Sequence, residues 1–245
     1  MEFFLSKFEH NICAHVIKKF LKRREFLRFY SEFIHPGDLC FDIGSNRGER
    51  TSVFRRLGAT VVAVEPQKKC VLLLKEKFKK DPAVIVVNAA AGETDGEATL
   101  HLCSETDECA TLSPEFISEF SARSDLHWER TEITKVITLQ TLSQQYGIPA
   151  LVKIDVEGFE STVLNGLRSP LQSVFFEFNR PLLGDTKKCI AHLSTLGTYR
   201  FNFISFEHMK PVLPQWLPAD EFLRDMENLI PEHILTGEIL ASLKP

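Results

Sequence analysis

The chain has 245 residues, 44% of them hydrophobic and 25% charged, with a formal net charge of -4. Such a length buries a full core as one large α/β domain, and this balance lacks the bulk basic field of a nucleic-acid binder, so no nucleic-acid partner is expected. No apolar run approaches the roughly 20 residues of a membrane span.

The opening "MEFFLSKFEH" has no basic start, long apolar stretch or small-residue cleavage site, which makes a cytoplasmic location the expectation. Cysteines at 13, 40, 70, 103, 109 and 189 form no Cys-x-x-Cys pair, so they read as buried free thiols rather than zinc ligands or a disulfide framework.

Residues 1–35 read as a helical N-terminal extension to a single domain at 36–245. In "HVIKKFLKRREFLRFYSEF" apolar residues such as Phe20, Leu21 and Leu27 recur at helical spacing, and Pro36-Gly37 ends the pattern. Lys18, Lys19, Lys22, Arg23, Arg24 and Arg28 give it a basic face. That face reads first as a solvated helix surface, with a peripheral contact to an anionic membrane or to a phosphorylated acceptor as the alternatives.

From Asp38 onward short β-branched runs alternate with helical stretches. Strands are expected at "LCFDIG", "TVVAVEP", "AVIVVNAA", "LVKIDVEG" and "SVFFEF", with helices at Arg47 to Leu57, Lys68 to Lys79 and Phe159 to Leu167. Near-continuous apolar strands joined by helices predict a mostly parallel, doubly wound sheet. "ATLHL" and "TKVITL" read as short additional strands. The polar stretch between them, Cys103 to Arg130, is long for a connection and reads as a lid or a partly disordered loop. "YRFNFISFE" and "GEILASL" predict two strands pairing antiparallel at the sheet edge, separated by an irregular Pro-rich segment from Pro211 to Pro218.

"FDIGSNRGE" ends the first of these strands, where open α/β sheets bind their ligands. Gly44 and Gly48 flank a turn into a helix that Ser45 or Asn46 can cap. Asp42 stands where a dinucleotide fingerprint has its first glycine, and a carboxylate there repels pyrophosphate. It attracts the ammonium and sulfonium of S-adenosylmethionine instead. Glu65 closes the second strand 23 positions after Asp42, the distance at which a carboxylate meets ribose hydroxyls. Asn88 and Ala89 close the third, with an amide and a small residue suited to an adenine ring.

At the fourth strand, alternation in "VKIDVEG" sends Lys153, Asp155 and Glu157 to one side. Asp155 at the carboxyl end is the leading general base or acceptor-orienting group, and Glu157 the next. The alternative is that the two acids only serve the first turn of the following helix. They also suit a divalent metal with oxygen ligands, but no His joins them, and a site without metal is the preferred reading. Lys153, inside an apolar strand, requires a partner, and Glu177 on the adjacent strand is the candidate. His101 and His127, with Trp128, fall near the lid, where a histidine offers an alternative base.

"FDIGSNRGE", "VEP", "TLSPEF", "TLQTL" and above all "LVKIDVEGFESTVLNGL" followed by "VFFEFNR" resemble the FkbM-type methyltransferases over about Asp38 to Arg180. The resemblance implies a Rossmann-like class I fold, S-adenosylmethionine as cofactor, and O-methylation of a hydroxyl on a sugar or other small metabolite or glycan. Gln140 stands where the family often has an aspartate. Two rivals remain: an NAD-dependent oxidoreductase, and a non-catalytic adaptor that keeps the fold.

Overall fold

The computed structural model describes residues 24–122, 124–205 and 209–243. Residues 24–30 form helix α1. Two βα units and a third strand follow: β1 (Leu39–Ile43) with α2 (Glu49–Arg56), β2 (Thr60–Val64) with α3 (Lys68–Lys77), and β3 (Val84–Val87). An excursion comprises β4 (Ala90–Ala91), β5 (Gly96–Leu102), α4 (Pro114–Ser121) and β6 (Arg130–Ile137). The chain then returns through α5 (Leu139–Tyr146), β7 (Leu151–Ile154), α6 (Glu160–Asn165), β8 (Ser173–Asn179), α7 (Leu183–Leu196), β9 (Arg200–Ser205), β10 (Leu217–Pro218), α8 (Ala219–Leu229) and β11 (Thr236–Ser242).

The main sheet has the order β10-β9-β11-β8-β7-β1-β2-β3. β1 pairs in parallel with β2 on one side and β7 on the other. The strand order therefore reverses between β1 and β7, and a crevice opens beyond their carboxyl ends. β11 enters between β8 and β9, antiparallel to both. It is thus an interior strand, while β9 carries only the two-residue β10 beyond it. β4, β5 and β6 form a separate three-stranded sheet.

Strand alternation sorts the side chains into two cores. Phe41, Ile43, Val152, Ile154, Val174 and Phe176 face a large apolar core that includes Val163 of α6, Ile190 of α7 and Phe222 of α8. Cys40, Val61, Leu151, Phe175 and Leu240 face the other way, toward Phe26, Phe29 and Tyr30 of α1 and Phe54 of α2. Here aromatic rings interlock, with Tyr30 edge-on to Phe54 at 4.9 Å and Phe33 edge-on to Phe175 at 4.8 Å between centroids; such pairs add about 0.5–1.5 kcal/mol beyond burial. The described part of the N-terminal segment is therefore integral to the core. Of its basic face, Arg24 and Arg28 are exposed, and Lys18, Lys19, Lys22 and Arg23 lie outside the described residues.

Several local expectations need correction. Residues 103–130 are not a bare loop. They hold a 3-10 turn at Asp107–Cys109 and helix α4, begun by Ser113, whose Oγ accepts from the Phe116 N–H, and by Pro114. The Pro-rich segment is irregular except at its end, where Leu217–Pro218 form β10. Neither Ser45 nor Asn46 caps α2; its N-cap is Gly48, at φ 71°. Helices α5, α7 and α8 were not expected, although α8 opens with Pro218 at its N-cap and Asp220 and Glu221 in its first turn. Among the described residues, no helix is long and apolar enough to cross a membrane. The five described cysteines are free thiols.

Candidate active site

A cleft of about 360 Å³ opens at the carboxyl ends of β1, β2 and β7 and reaches to Glu177 at the end of β8. Gly44 builds its floor. Its N–H donates to the Val64 carbonyl at 3.0 Å. It adopts φ 76°, and a Cβ at this position would stand 1.7 Å from the Asp155 carbonyl oxygen. Only glycine lets the two loops meet there. Asn46 also takes a left-handed conformation, at φ 45°, which non-glycine residues adopt uncommonly and asparagine more readily than most. That turn brings its N–H to Glu65.

Glu65 is 2% exposed. Its two oxygens accept from backbone, Oε2 from Asn46 N at 2.7 Å and Oε1 from Gln67 N at 2.9 Å. Burial pushes its carboxyl up to about 7, against the pull of these amides. A strand-end acid thus becomes a preorganised acceptor with one lone pair on each oxygen still unused. Asp42, also buried, accepts from Thr51 Oγ1 at 2.5 Å. Burial raises it too, opposed by Thr51 and by Lys153 and Arg50. Ser45 and Ala89 line the cleft with them.

Two predicted cofactor residues lie outside the lining. Asn88 is exposed, and its amide donates to the carbonyls of Glu65 and Pro66 at 3.0 and 2.9 Å, so it fastens the Glu65 loop from behind. Gly48 faces α3, where a Cβ would meet Leu74 and Phe78 at 2.6 and 2.8 Å. Its lack of a side chain allows α2 and α3 to pack.

The segment after β5 crosses the cleft mouth. The Asp107 carbonyl accepts from Asn46 Nδ2 and Gln67 Nε2, each at 2.8 Å. Its carboxylate bridges Arg47 and Lys69 at 2.5 and 2.9 Å. The sequence marked Cys103 to Arg130 as a lid or loop but did not single out Asp107, because its partners and its conformation depend on tertiary contacts. His101 and His127 are outside the cleft lining: His101 is bridged through its backbone to Thr111, and His127 pairs with Glu105 at 3.0 Å. Gln140 is also outside it.

At the other end of the cleft Asp155, Glu157 and Glu177 converge, each offering a carboxylate oxygen within 4.8 Å of the others. Lys153, fully buried, reaches Asp155 at 3.1 Å and Glu238 of β11 at 3.5 Å. The expected pairing with Glu177 is not made. Both residues share a sheet face, but Lys153 is level with Phe175, while Glu238, opposite Glu177 on β11, bonds Arg50 at 3.3 Å and Tyr30 at 3.1 Å. The sequence could not show this partner, since β11 is inserted out of order.

These cations divide the acids. Burial opposes charge on Asp155, but Lys153 and Arg50 outweigh it and hold the carboxyl below its ordinary value. Glu157 and Glu177 are raised well above theirs, by burial first and then by the Asp155 charge. Glu157 sits at φ 54°, and the helix-start role considered for it falls to other acids. Glu160 accepts from Val156 N at 3.1 Å, and Asp185 from Ser161 N at 3.2 Å.

Comparison with known proteins places the chain in a family. Residues 42–228 match the Methyltransferase FkbM domain. A hexuronic acid methyltransferase, AglP of Haloferax volcanii, is 27% identical over 158 residues, which is 62% of this chain and 59% of that protein's length. Among solved structures, a precorrin-6y C5,15-methyltransferase from Geobacter metallireducens aligns with TM-score 0.47 at 11% identity, over 91% of this chain and 87% of that one. A TehB-like SAM-dependent methyltransferase from Corynebacterium glutamicum gives 0.47 at 10%, over 89% and 86%. With the family model spanning most of the sequence, from Asp42 at the cleft to α8, the chain belongs to the FkbM-domain methyltransferases.

Proposed function

We propose that the protein is an S-adenosylmethionine-dependent O-methyltransferase acting on a hydroxyl of a sugar, a glycan or a related small metabolite. One observation carries the choice of cofactor. Eight acidic and two basic side chains line the cleft, which suits a cationic donor and disfavours a pyrophosphate. The sugar acceptor is supported by the hexuronic acid methyltransferase relative. Free thiols in the described chain agree with a reducing, cytoplasmic setting.

The residues fit the donor. Glu65 is positioned to take a ribose diol with the lone pairs its backbone partners leave, and Asp42 with Ser45 borders the end where positive charge belongs. When bound, S-adenosylmethionine supplies a methyl whose bond to sulfur breaks, with the electron pair going to sulfur, as the bond to the acceptor oxygen forms. The chain's part is to align that oxygen, which can supply about 7–11 kcal/mol, and to receive its proton. Glu157 is the proposed proton acceptor, because burial and the Asp155 charge raise its proton affinity above that of an ordinary carboxylate. Asp155, kept ionised by Lys153, orients the acceptor hydroxyl. Lys153 acts through Asp155 and is a positioning residue.

Calorimetric titration with S-adenosylmethionine and with NAD is the first test, with saturable binding of the former alone expected. Mass spectrometry after incubation with methyl-labelled donor and a panel of hexuronic acids, neutral sugars and glycans should then yield a labelled ether. Tight NAD binding would favour an oxidoreductase. Donor binding without turnover on any acceptor would favour an adaptor.

A further inference from the structure

We infer that Asp155, Glu157 and Glu177 form a binding site for one divalent cation of the magnesium or manganese type. The three carboxylate oxygens already lie within 4.8 Å of one another, a spacing that a single ion with oxygen ligands at about 2.0–2.6 Å can span with small side-chain rotations.

A second observation distinguishes this trio from an ordinary acidic patch. Glu177 is 8% exposed and lines the cleft. Its Oε1 accepts from Thr236 Oγ1 at 3.1 Å, but among the described residues its Oε2 is buried without a hydrogen-bond partner. A buried polar atom left bare costs about 1–3 kcal/mol, and more when charged. No hydrogen bond from a neighbouring cation reaches it among the described residues. Lys153 bonds Asp155 and Glu238, and Arg50 meets Glu238 through one terminal nitrogen while its buried Nε has no partner of its own.

Two occupants satisfy such an oxygen. A proton on Glu177 would be shared with Asp155, whose carboxyl is close enough to feel it, and it would leave Glu157 still facing a like charge. A divalent ion satisfies all three at once. It also explains why oxygen ligands with no His or Cys converge here, the ligand set of a hard cation. The ion's remaining positions are open to substrate oxygens on the cleft side. That use rests on the methyltransferase reading; binding of the ion does not.

The test therefore omits donor and acceptor. The full-length protein is stripped with EDTA and titrated with Mn2+, with free ion followed by electron paramagnetic resonance. One site per chain is expected, weakened about tenfold or more in Glu177→Gln and Asp155→Asn and unchanged in Glu221→Gln on the exposed face of α8. Mg2+ should displace the Mn2+ and raise the thermal midpoint of the wild type, a readout that does not depend on any variant folding. Absence of saturable binding, or equal binding by wild type and a folded Glu177→Gln, would overturn the inference and leave the trio holding a proton. Methyl transfer that fails in every condition while Mn2+ still binds at this site would count against the proposed function alone.

Discussion

The two ends of the cleft hold buried carboxyls in opposite ways. At the β1–β2 end Glu65 is met by two backbone N–H groups, which fix it without bringing in a counter-charge. At the β7–β8 end Asp155 leans on Lys153, and among the described residues Glu157 and Glu177 pair with no cation of their own. On the proposed reading the first arrangement is a receptor for the methyl donor, rigid because its N–H groups belong to the fold. The second stores electrostatic conflict, which chemistry or an ion can release. A methyltransferase needs both: a donor held in one geometry, and an acceptor group whose proton affinity can be exploited.

The contrast can be broken at several points. The largest effect is expected where the two ends touch. Gly44→Ala places a Cβ against the Asp155 carbonyl in a left-handed residue and should destabilise the fold by about 3 kcal/mol or more, with loss of donor binding; urea denaturation and calorimetry measure both. A well-folded Gly44→Ala that binds donor normally would mean that the loops do not meet as described.

Next come the conflicting acids. Glu157→Gln should lower turnover by about 10²–10⁴ while donor affinity is kept, and Asp155→Asn should lower it by about 10² through misplacement of the acceptor. Single-turnover rates with a labelled donor check each. Full activity with reduced stability in Asp155→Asn would limit that residue to a structural role.

At the rigid end the effects are smaller. Glu65→Gln should weaken donor binding by about tenfold, as expected for a lost charge-assisted hydrogen bond. The same carboxyl predicts a pH dependence. Its value rises from the ordinary 4.5 to about 7 on folding. Between those values the folded chain holds a proton that the unfolded chain has released, so stability falls as pH rises across the window, by about 3 kcal/mol at most. Donor affinity should run the other way and weaken below pH 7, because the diol is bound best by the ionised form. Denaturation and calorimetry from pH 5 to 8 test the two slopes, and Glu65→Gln should reduce both, leaving the part of the stability slope that Glu157, Glu160 and Glu177 contribute.

The mildest change is expected at the strap. Asp107→Ala removes the bridge to Arg47 and Lys69 but leaves the carbonyl that holds Asn46 and Gln67. Since exposed ion pairs contribute about 0–1 kcal/mol, a few-fold faster release of donor, read by stopped-flow, is the expected result.

How much of this could be read from the sequence followed from how local each feature is. β1, β2, β7 and β8 were legible because buried parallel strands are continuous apolar runs, and Asp42, Glu65 and Asp155 because strand ends at a switch point face the crevice. Asn88 was misleading for a physical reason: an amide beside a strand end serves a backbone loop as readily as a ligand. Gly48 likewise answers to helix packing. The lysine's need for a partner was visible in "VKIDV", but its identity was not, because Glu238 arrives on a strand inserted between β8 and β9. Glu177 was visible as an acid in an apolar strand, yet its bare oxygen emerges only once every neighbour has been placed.

That inserted strand also sets an order of events. Glu238 gathers Tyr30, Arg50 and Lys153 from positions as far as 208 residues upstream. A chain emerging from the ribosome can assemble β1, β2 and the Glu65 receptor early, but the clamp on Lys153 must wait until β11 is synthesised and slots in. Competence to hold the donor should therefore precede competence to use it during biosynthesis.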